Sequence, residues 1–365
     1  MRIFGLLLLF VAGAPALGKG DDAPSLPPAH VGLRIDAPDP AGPWKMVVTN
    51  QGDVPVRLAA DGRLLSFEIP KPEDPYDGAQ KKKKTKPAPP VVCQLPAELR
   101  PSGVVEDRAV LLPAGARYEE VISPALYCFG EAAARALTPG ASVVAKLGFT
   151  PPHAQPGRKS APPAPPFVAE PAAMNPAVSP MKEIVSEPFV LPAAQPTGSG
   201  PTTDAKAVDD PHAPKLELTA PARVDTPNEL TVAMTVTVKN AGGRPSAINL
   251  RRDNLTFDID GPNGSAHCGQ PAERRRVPRD AFATLAAGAS RSLDVWVGEI
   301  CSDVVFDRPG LYRVWPALAF SSPSEPSSTK VWTETIASKD PVLVRVREGR
   351  LPFYASPPQV LGVTR

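Results

Sequence analysis

At 365 residues the chain has room for two ordinary domains, and its 49 prolines and 27 glycines are too many helix breakers for a mostly helical fold. A formal net charge of +2 excludes a general nucleic-acid binder, which needs a strongly basic face. The 4 cysteines read as disulfides if the chain is exported.

The N-terminus sets that compartment. Arg2 precedes the apolar run Ile3–Ala12, followed by Gly13, Pro15 and the small residues Ala14, Ala16 and Gly18. This pattern predicts a cleaved signal peptide over residues 1–18 and a secreted or periplasmic protein. The alternatives are a retained anchor or a buried first strand. The run is shorter than the roughly 20 apolar residues of a membrane-spanning helix. No later stretch is longer, so no transmembrane segment is expected after signal cleavage.

Two copies of one unit follow, expected over residues 28–193 and 212–349. They open on Leu33-Arg34-Ile35-Asp36-Ala37-Pro38 and Leu216-Glu217-Leu218-Thr219-Ala220-Pro221. The pattern V-x-N-x-G-x-x-P then appears at Val48–Pro55 and at Val238–Pro245. At the same distance beyond each proline stand Leu65-Ser66-Phe67-Glu68-Ile69 and Leu255-Thr256-Phe257-Asp258-Ile259. Both copies continue with C-x-x-P-A-E, from Cys93 and Cys268, and with L-x-A-G, ending at Gly115 and Gly288. A second cysteine, Cys128 or Cys301, lies equally far beyond that glycine, and Pro139-Gly140 or Pro309-Gly310 comes next. So many ordered coincidences indicate a tandem duplication.

Each copy reads as β. Leu230–Val238 alternates apolar and polar residues, as do Leu255–Ile259, Ser290–Val297 and Gly310–Trp315. Asn-x-Gly and Gly261-Pro262-Asn263-Gly264 supply turns. About seven short strands in each copy is the count of an Ig-like sandwich. The expected fold is all-β, with two tandem Ig-like antiparallel β-sandwich domains. A duplicated unit folds as a unit, which pairs Cys93 with Cys128 and Cys268 with Cys301. On the chain-entropy view each bond contributes roughly 3–4 kcal/mol.

Four segments lie outside the repeated core pattern. Residues 194–211 read as a linker, and residues 350–365 as a C-terminal tail. Residues 70–90 and 151–185 read as Pro-rich, disordered, mobile insertions in the first copy. The first insertion carries Lys81, Lys82, Lys83, Lys84 and Lys86; the second copy has Arg274, Arg275, Arg276 and Arg279. Both clusters are possible anion sites, weighed against plain solvated loops.

No nucleophile elbow, H-E-x-x-H, P-loop, dinucleotide fingerprint or C-x-x-C is present. His30, His153, His212 and His267 fall in Pro- or Gly-rich surroundings expected to be loops. His267 beside Cys268 lacks the ligand spacing of a zinc site, and Asp258–Gly264 fits a β-turn better than a calcium loop. The only charged pair at a matched motif is Glu98 and Glu273. No cofactor and no catalysis are expected.

N-x-G-x-x-P, L-[ST]-F-[DE]-I and L-x-A-G together resemble bacterial Ig-like domains of the intracellular proteinase inhibitor type. That resemblance implies an Ig-like sandwich and admits a secreted protease inhibitor presenting a loop such as residues 70–90. The functional expectation from the residues themselves is a non-catalytic binding or structural protein. Its partner would be a protein or a cell-envelope polysaccharide. A metal-binding or enzymatic protein is the remaining alternative. Oligomeric state is not legible.

Overall fold

The structure, a computed structural model, describes residues 27–70, 89–150, 166–172, 178–193, 215–269, 277–324 and 331–362. The chain is all-β and forms two tandem Ig-like sandwiches, each closed by one disulfide, Cys93–Cys128 and Cys268–Cys301. The first contains β1 (Val31–Asp36), β2 (Trp44–Asn50), β3 (Val56–Ala59), β4 (Leu65–Ile69), β5 (Val91–Gln94), β6 (Ala109–Leu112), β7 (Arg117–Ile122), β8 (Ser142–Gly148), β9 (Ala169–Pro171), β10 (Glu183–Val185) and β11 (Phe189–Val190). The second contains β12 (Leu216–Thr219), β13 (Arg223–Asn228), β14 (Ala233–Asn240), β15 (Ser246–Ile248), β16 (Leu255–Gly261), β17 (Gly264–Cys268), β18 (Ala283–Leu285), β19 (Ser290–Trp296), β20 (Gly310–Leu318), β21 (Ile336–Ala337) and β22 (Val342–Glu348). A last strand, β23 (Val360–Leu361), returns to the first sandwich. Among the described residues no helix is long and apolar enough to cross a membrane.

The strand order of one sandwich maps onto the other. β1-β2-β7 matches β12-β14-β19, β5-β4-β8 matches β17-β16-β20, and β3-β6 matches β15-β18. Pairing between these strands is antiparallel, except that β13 runs parallel to β22 at a sheet edge. Pro227 lies in β13, and an edge is where a residue without an N–H is tolerated.

The shared motifs have a common physical cause. Asn50 is fully buried, and its Nδ2 donates to the carbonyls of Val54 (2.9 Å) and Leu112 (2.9 Å), while its Oδ1 accepts the Gly52 N–H (3.1 Å). Asn240 repeats this with the carbonyls of Arg244 (2.8 Å) and Leu285 (3.0 Å) and the Gly242 N–H (3.0 Å). One amide thus binds three backbone groups at once, and in each copy the leucine carbonyl among them is buried. The glycine of L-x-A-G closes the same corner. Gly115 (φ 74°) donates its N–H to the Asn50 carbonyl, and Gly288 (φ 75°) donates to Asn240. That backbone conformation favours glycine.

Each sandwich has its own hydrophobic cluster. Trp44 organises the first, packing edge-on against Phe67 (5.2 Å between centroids) and Phe189 (5.9 Å). Met234 holds the equivalent place in the second, where Phe306 and Tyr312 pair at 4.9 Å. Alternation along β4 and β16 buries Leu, Phe and Ile on one face, as their sequences predict.

Two expectations need correction. The strand read at Leu230–Val238 begins later, at Ala233, because Glu229–Thr231 forms a 3-10 turn. The Asn228 side chain caps that turn by accepting the Leu230 N–H (3.1 Å), which leaves Leu230 57% exposed. The insertion read as mobile over 151–185 is partly built into the sandwich. β9 pairs with β3, β10 pairs with β8, and Val168, Ala169 and Ile184 are buried. Three-residue strands are too short to show a period, and the surrounding prolines hid them. Residues 71–88, 151–165, 173–177 and 194–214 lie outside the described residues.

The sandwiches also touch. Arg345 on β22 donates from Nη1 to the Leu126 carbonyl (3.2 Å), and its guanidinium lies 4.4 Å from the Phe129 ring centroid. Asp225 on β13 accepts from Arg345 (2.6 Å) and Arg347 (2.8 Å), and Arg347 also faces Glu98 (3.9 Å). Burial alone would raise the Asp225 carboxyl, but the hydrogen bonds from Arg347 and Arg345 outweigh it and bring it to about 2.

Candidate binding surface

The residues singled out for anion binding do not form one site. Lys81, Lys82, Lys83, Lys84, Lys86, Arg274, Arg275 and Arg276 lie outside the described residues, as does Glu273. Arg279 is exposed in the 3-10 turn Arg279–Ala281. All four cysteines are consumed in the two disulfides, and among the described residues no group of three His, Cys, Asp or Glu could hold a metal.

The richest constellation is on the second sandwich. Alternation along β16 turns Phe257 and Ile259 into the core and Asp258 and Asp260 outward. Antiparallel registers then set Asp258 between His267 on β17 and Trp315 on β20, and Asp260 between Ser265 and Arg313. These six residues make two rows across three strands. His267 Nδ1 is 2.7 Å from Asp258 Oδ1, Ser265 Oγ donates to Asp260 Oδ1 (3.3 Å), and Arg313 Nη1 is 3.8 Å from Asp260 Oδ2. Trp315 is half-buried, leaving part of its ring on the surface. Asp258, Asp260, Ser265, His267 and Trp315 line a shallow, open concavity of about 330 Å³.

A disulfide and a buried tyrosine lie beneath this face. The disulfide at Cys268 pins β17 one residue beyond His267, and Tyr312 packs under the hairpin end. A Cβ at Gly261 would fall 2.1 Å from Tyr312 Cδ1, so only glycine fits there. His267 therefore stands on a strand rather than in the loop expected for it. A polar segment of five residues beside a turn gave no β signal, although it completes the hairpin.

The arrangement can donate and accept hydrogen bonds beside an aromatic face. The imidazole is oriented by a carboxylate, but the neighbouring Ser265 hydroxyl is turned toward Asp260. The first sandwich lacks this face. Its registers place Val92 and Val144 beside Glu68, and Glu68 is paired with Lys146 (2.6 Å).

No protein-family model matches the chain, and no curated protein matches it. Among solved structures, red sea bream transglutaminase is similar over 86% of this chain, at 12% identity and a TM-score of 0.17. The chain spans 31% of that protein's length. The ligand-binding domain of human OSCAR is similar over 88% of this chain and 100% of its own, at 12% identity and a TM-score of 0.13. Superpositions that loose bear no weight, and the Ig-like architecture rests on the strand order and registers above.

Proposed function

We propose that this chain is an exported, non-catalytic binding protein whose second sandwich takes a cell-envelope polysaccharide on the β17-β16-β20 face. The observation that carries this reading is the half-buried Trp315 flanked by the His267–Asp258 and Arg313–Asp260 pairs. An aromatic ring offers an apolar face to the flat side of a sugar ring. Carboxylate, imidazole and guanidinium around it donate and accept hydrogen bonds to hydroxyls. The concavity is open along the sheet, as an extended polymer requires, and it does not enclose a small molecule. Two intradomain disulfides suit an oxidising compartment, in line with the signal peptide expected over residues 1–18.

Co-sedimentation of the mature protein with purified envelope polysaccharide tests the reading. Trp315→Ala should weaken retention by roughly tenfold or more, since stacking on a ring is worth about 1–3 kcal/mol in comparable recognition of flat ligands. Asp258→Asn should weaken it less. Retention by Trp315→Ala equal to that of the wild type would remove this face from the binding site.

A further inference from the structure

One sheet edge is covered in the first sandwich and bare in the second. The segment that leaves the second sandwich after β22 crosses to the first and is seated there. The Leu351 N–H still donates to the Asp307 carbonyl (2.9 Å), but from Phe353 onward the partners belong to the first sandwich. The Tyr354 hydroxyl donates to Asp61 Oδ1 (2.7 Å), and its ring lies 3.7 Å from the Arg108 guanidinium. Val360 and Leu361 pair with Tyr118 and Arg117, adding a strand to the outer edge of β7. The seat is buried and charged. Asp61, Arg108 and Tyr118 are 1%, 5% and 1% exposed, and Arg108 donates to the Tyr118 hydroxyl (2.8 Å) and to Glu120 (3.2 Å).

The matching edge of the second sandwich is that of β19, which among the described residues pairs with β14 alone. In antiparallel pairing, alternate residues bond the neighbouring strand. The bonds from the Asn240 N–H to the Ala289 carbonyl (2.9 Å) and from the Val297 N–H to the Val232 carbonyl (2.8 Å) set the phase. Arg291, Leu293 and Val295 therefore bond β14, while Ser290, Ser292 and Asp294 turn their N–H and C=O groups outward. Among the described residues no protein group pairs with those outward amides. The side chains there have also changed. Arg251, Asp253, Arg291 and Leu293 stand where the first sandwich has Asp61, Arg63, Tyr118 and Glu120. Arg251 is paired with Asp253 (3.0 Å), but Arg291 is exposed and, among the described residues, has no carboxylate partner.

We infer that the outer edge of β19 is a strand-addition site for an extended segment of another protein, one that carries an acidic side chain opposite Arg291. The covered edge of β7 supplies the geometry: Val360 lies opposite Tyr118, the position that Arg291 fills in the second sandwich. Side chains directly opposite on antiparallel neighbours stand about 5 Å apart at Cβ, so a carboxylate there meets the guanidinium. Two residues earlier the added strand passes Leu293, which is only partly buried against the second core and is covered by an apolar side chain. The complementary sequence is thus an apolar residue, any residue, then Asp or Glu. Backbone pairing with Ser290, Ser292 and Asp294 gives affinity, and the Arg291 contact gives specificity. The chain's own tail does not fit. It is seated on the first sandwich, and residues 350–365 contain no Asp or Glu. The edge belongs to the sheet of β12, β14 and β19, so a peptide here leaves the β17-β16-β20 face free.

A phage library of random short peptides, panned on the full-length protein, supplies the probe. The enriched peptides should share an acidic residue with an apolar one two positions before it. A labelled synthetic peptide of that consensus is then titrated against variants by fluorescence anisotropy. Ser292→Pro removes an outward N–H at an edge, where proline is tolerated, so its urea midpoint should match the wild type while peptide affinity falls at least about tenfold. Arg291→Glu should weaken binding roughly five- to tenfold, and a peptide with Lys in place of its acid should recover the loss on that variant. Trp315→Ala should bind the peptide as the wild type does, which separates this edge from the polysaccharide face. A panning that enriches no peptide, or peptides that bind Ser292→Pro undiminished, overturns the inference. Should Ser292→Pro fail to fold, the charge exchange at Arg291 decides alone, and no recovery by the Lys peptide rejects the site.

Discussion

The turn that follows β3 in the first sandwich and β15 in the second occupies one place in the fold with opposite charge. In the first, Asp61 precedes the 3-10 turn Gly62–Leu64 and is buried beneath Tyr354, with Arg63 beside it. In the second, Arg251 precedes Arg252–Asn254 and pairs with Asp253 (3.0 Å) in open solvent. The neighbouring strands follow suit. β7 carries Tyr118 and Glu120 and gains β23 at its edge, whereas β19 carries Arg291 and Leu293 and, among the described residues, pairs with β14 alone. The framework of strands, asparagine corners and disulfides is therefore common property, and specialisation lies in a few polar side chains placed on it. The first sandwich is equipped to hold the chain's own C-terminal segment, the second to present a polar face.

That contrast breaks most severely if the shared framework is not equivalent in the two halves. Asn50→Ala and Asn240→Ala each leave one buried carbonyl without its side-chain donor and free two partly exposed groups, so each should lower stability by about 2 kcal/mol. Urea unfolding of the two variants should give closely similar shifts. A large cost in one sandwich and none in the other would show that the corner is structural in only one of them.

Acid probes the junction between the halves. The Asp225 carboxyl sits at about 2, below its ordinary 3.8, because the hydrogen bonds from Arg347 and Arg345 outweigh the effect of burial. A group lowered in the folded state contributes stability that is present above its unfolded value and lost as the pH falls through its folded one. Stability should therefore decline between about pH 4 and pH 2. Asp225→Asn should be less stable at neutral pH and flatter across that window. Urea midpoints at pH 5 and pH 2.5 measure it; an unchanged slope in the variant would dissociate Asp225 from the acid response.

The smallest effect is expected where the two halves differ by insertion. Deleting Gln80–Lys86 should change stability by less than about 0.5 kcal/mol, because the second sandwich has the same strands without that stretch. Salt-sensitive binding of the wild type to acidic vesicles, absent from the deletion variant, would instead make the lysines a site.

Much of the framework was legible because its causes are local. The alternation of Leu65–Ile69 and Leu255–Ile259 reports burial on one face directly, and the repeated spacing of the cysteines specifies both bonds. The asparagine corner was legible as a turn but not as a clasp, since Leu112 and Leu285 take part through backbone carbonyls that any residue would supply. The polar face of the second sandwich was hidden for a different reason. Asp258, His267 and Trp315 become neighbours only through two strand registers, and His267 by itself carries no strand signal. The seat for the C-terminal segment was invisible altogether. Its strand is two residues long, its anchor is a single tyrosine, and Asp61 lies far away in sequence.

The crossing of that segment sets the order in which the protein can be finished. Synthesis runs from the N-terminus, and the half made first ordinarily folds first. Here that half waits for Tyr354, Val360 and Leu361, which are made after every other strand of both sandwiches, before its outer sheet and buried charges are complete. A stop codon just after Gly349 would spare every strand of the second sandwich, and the defect would surface in the half translated earliest.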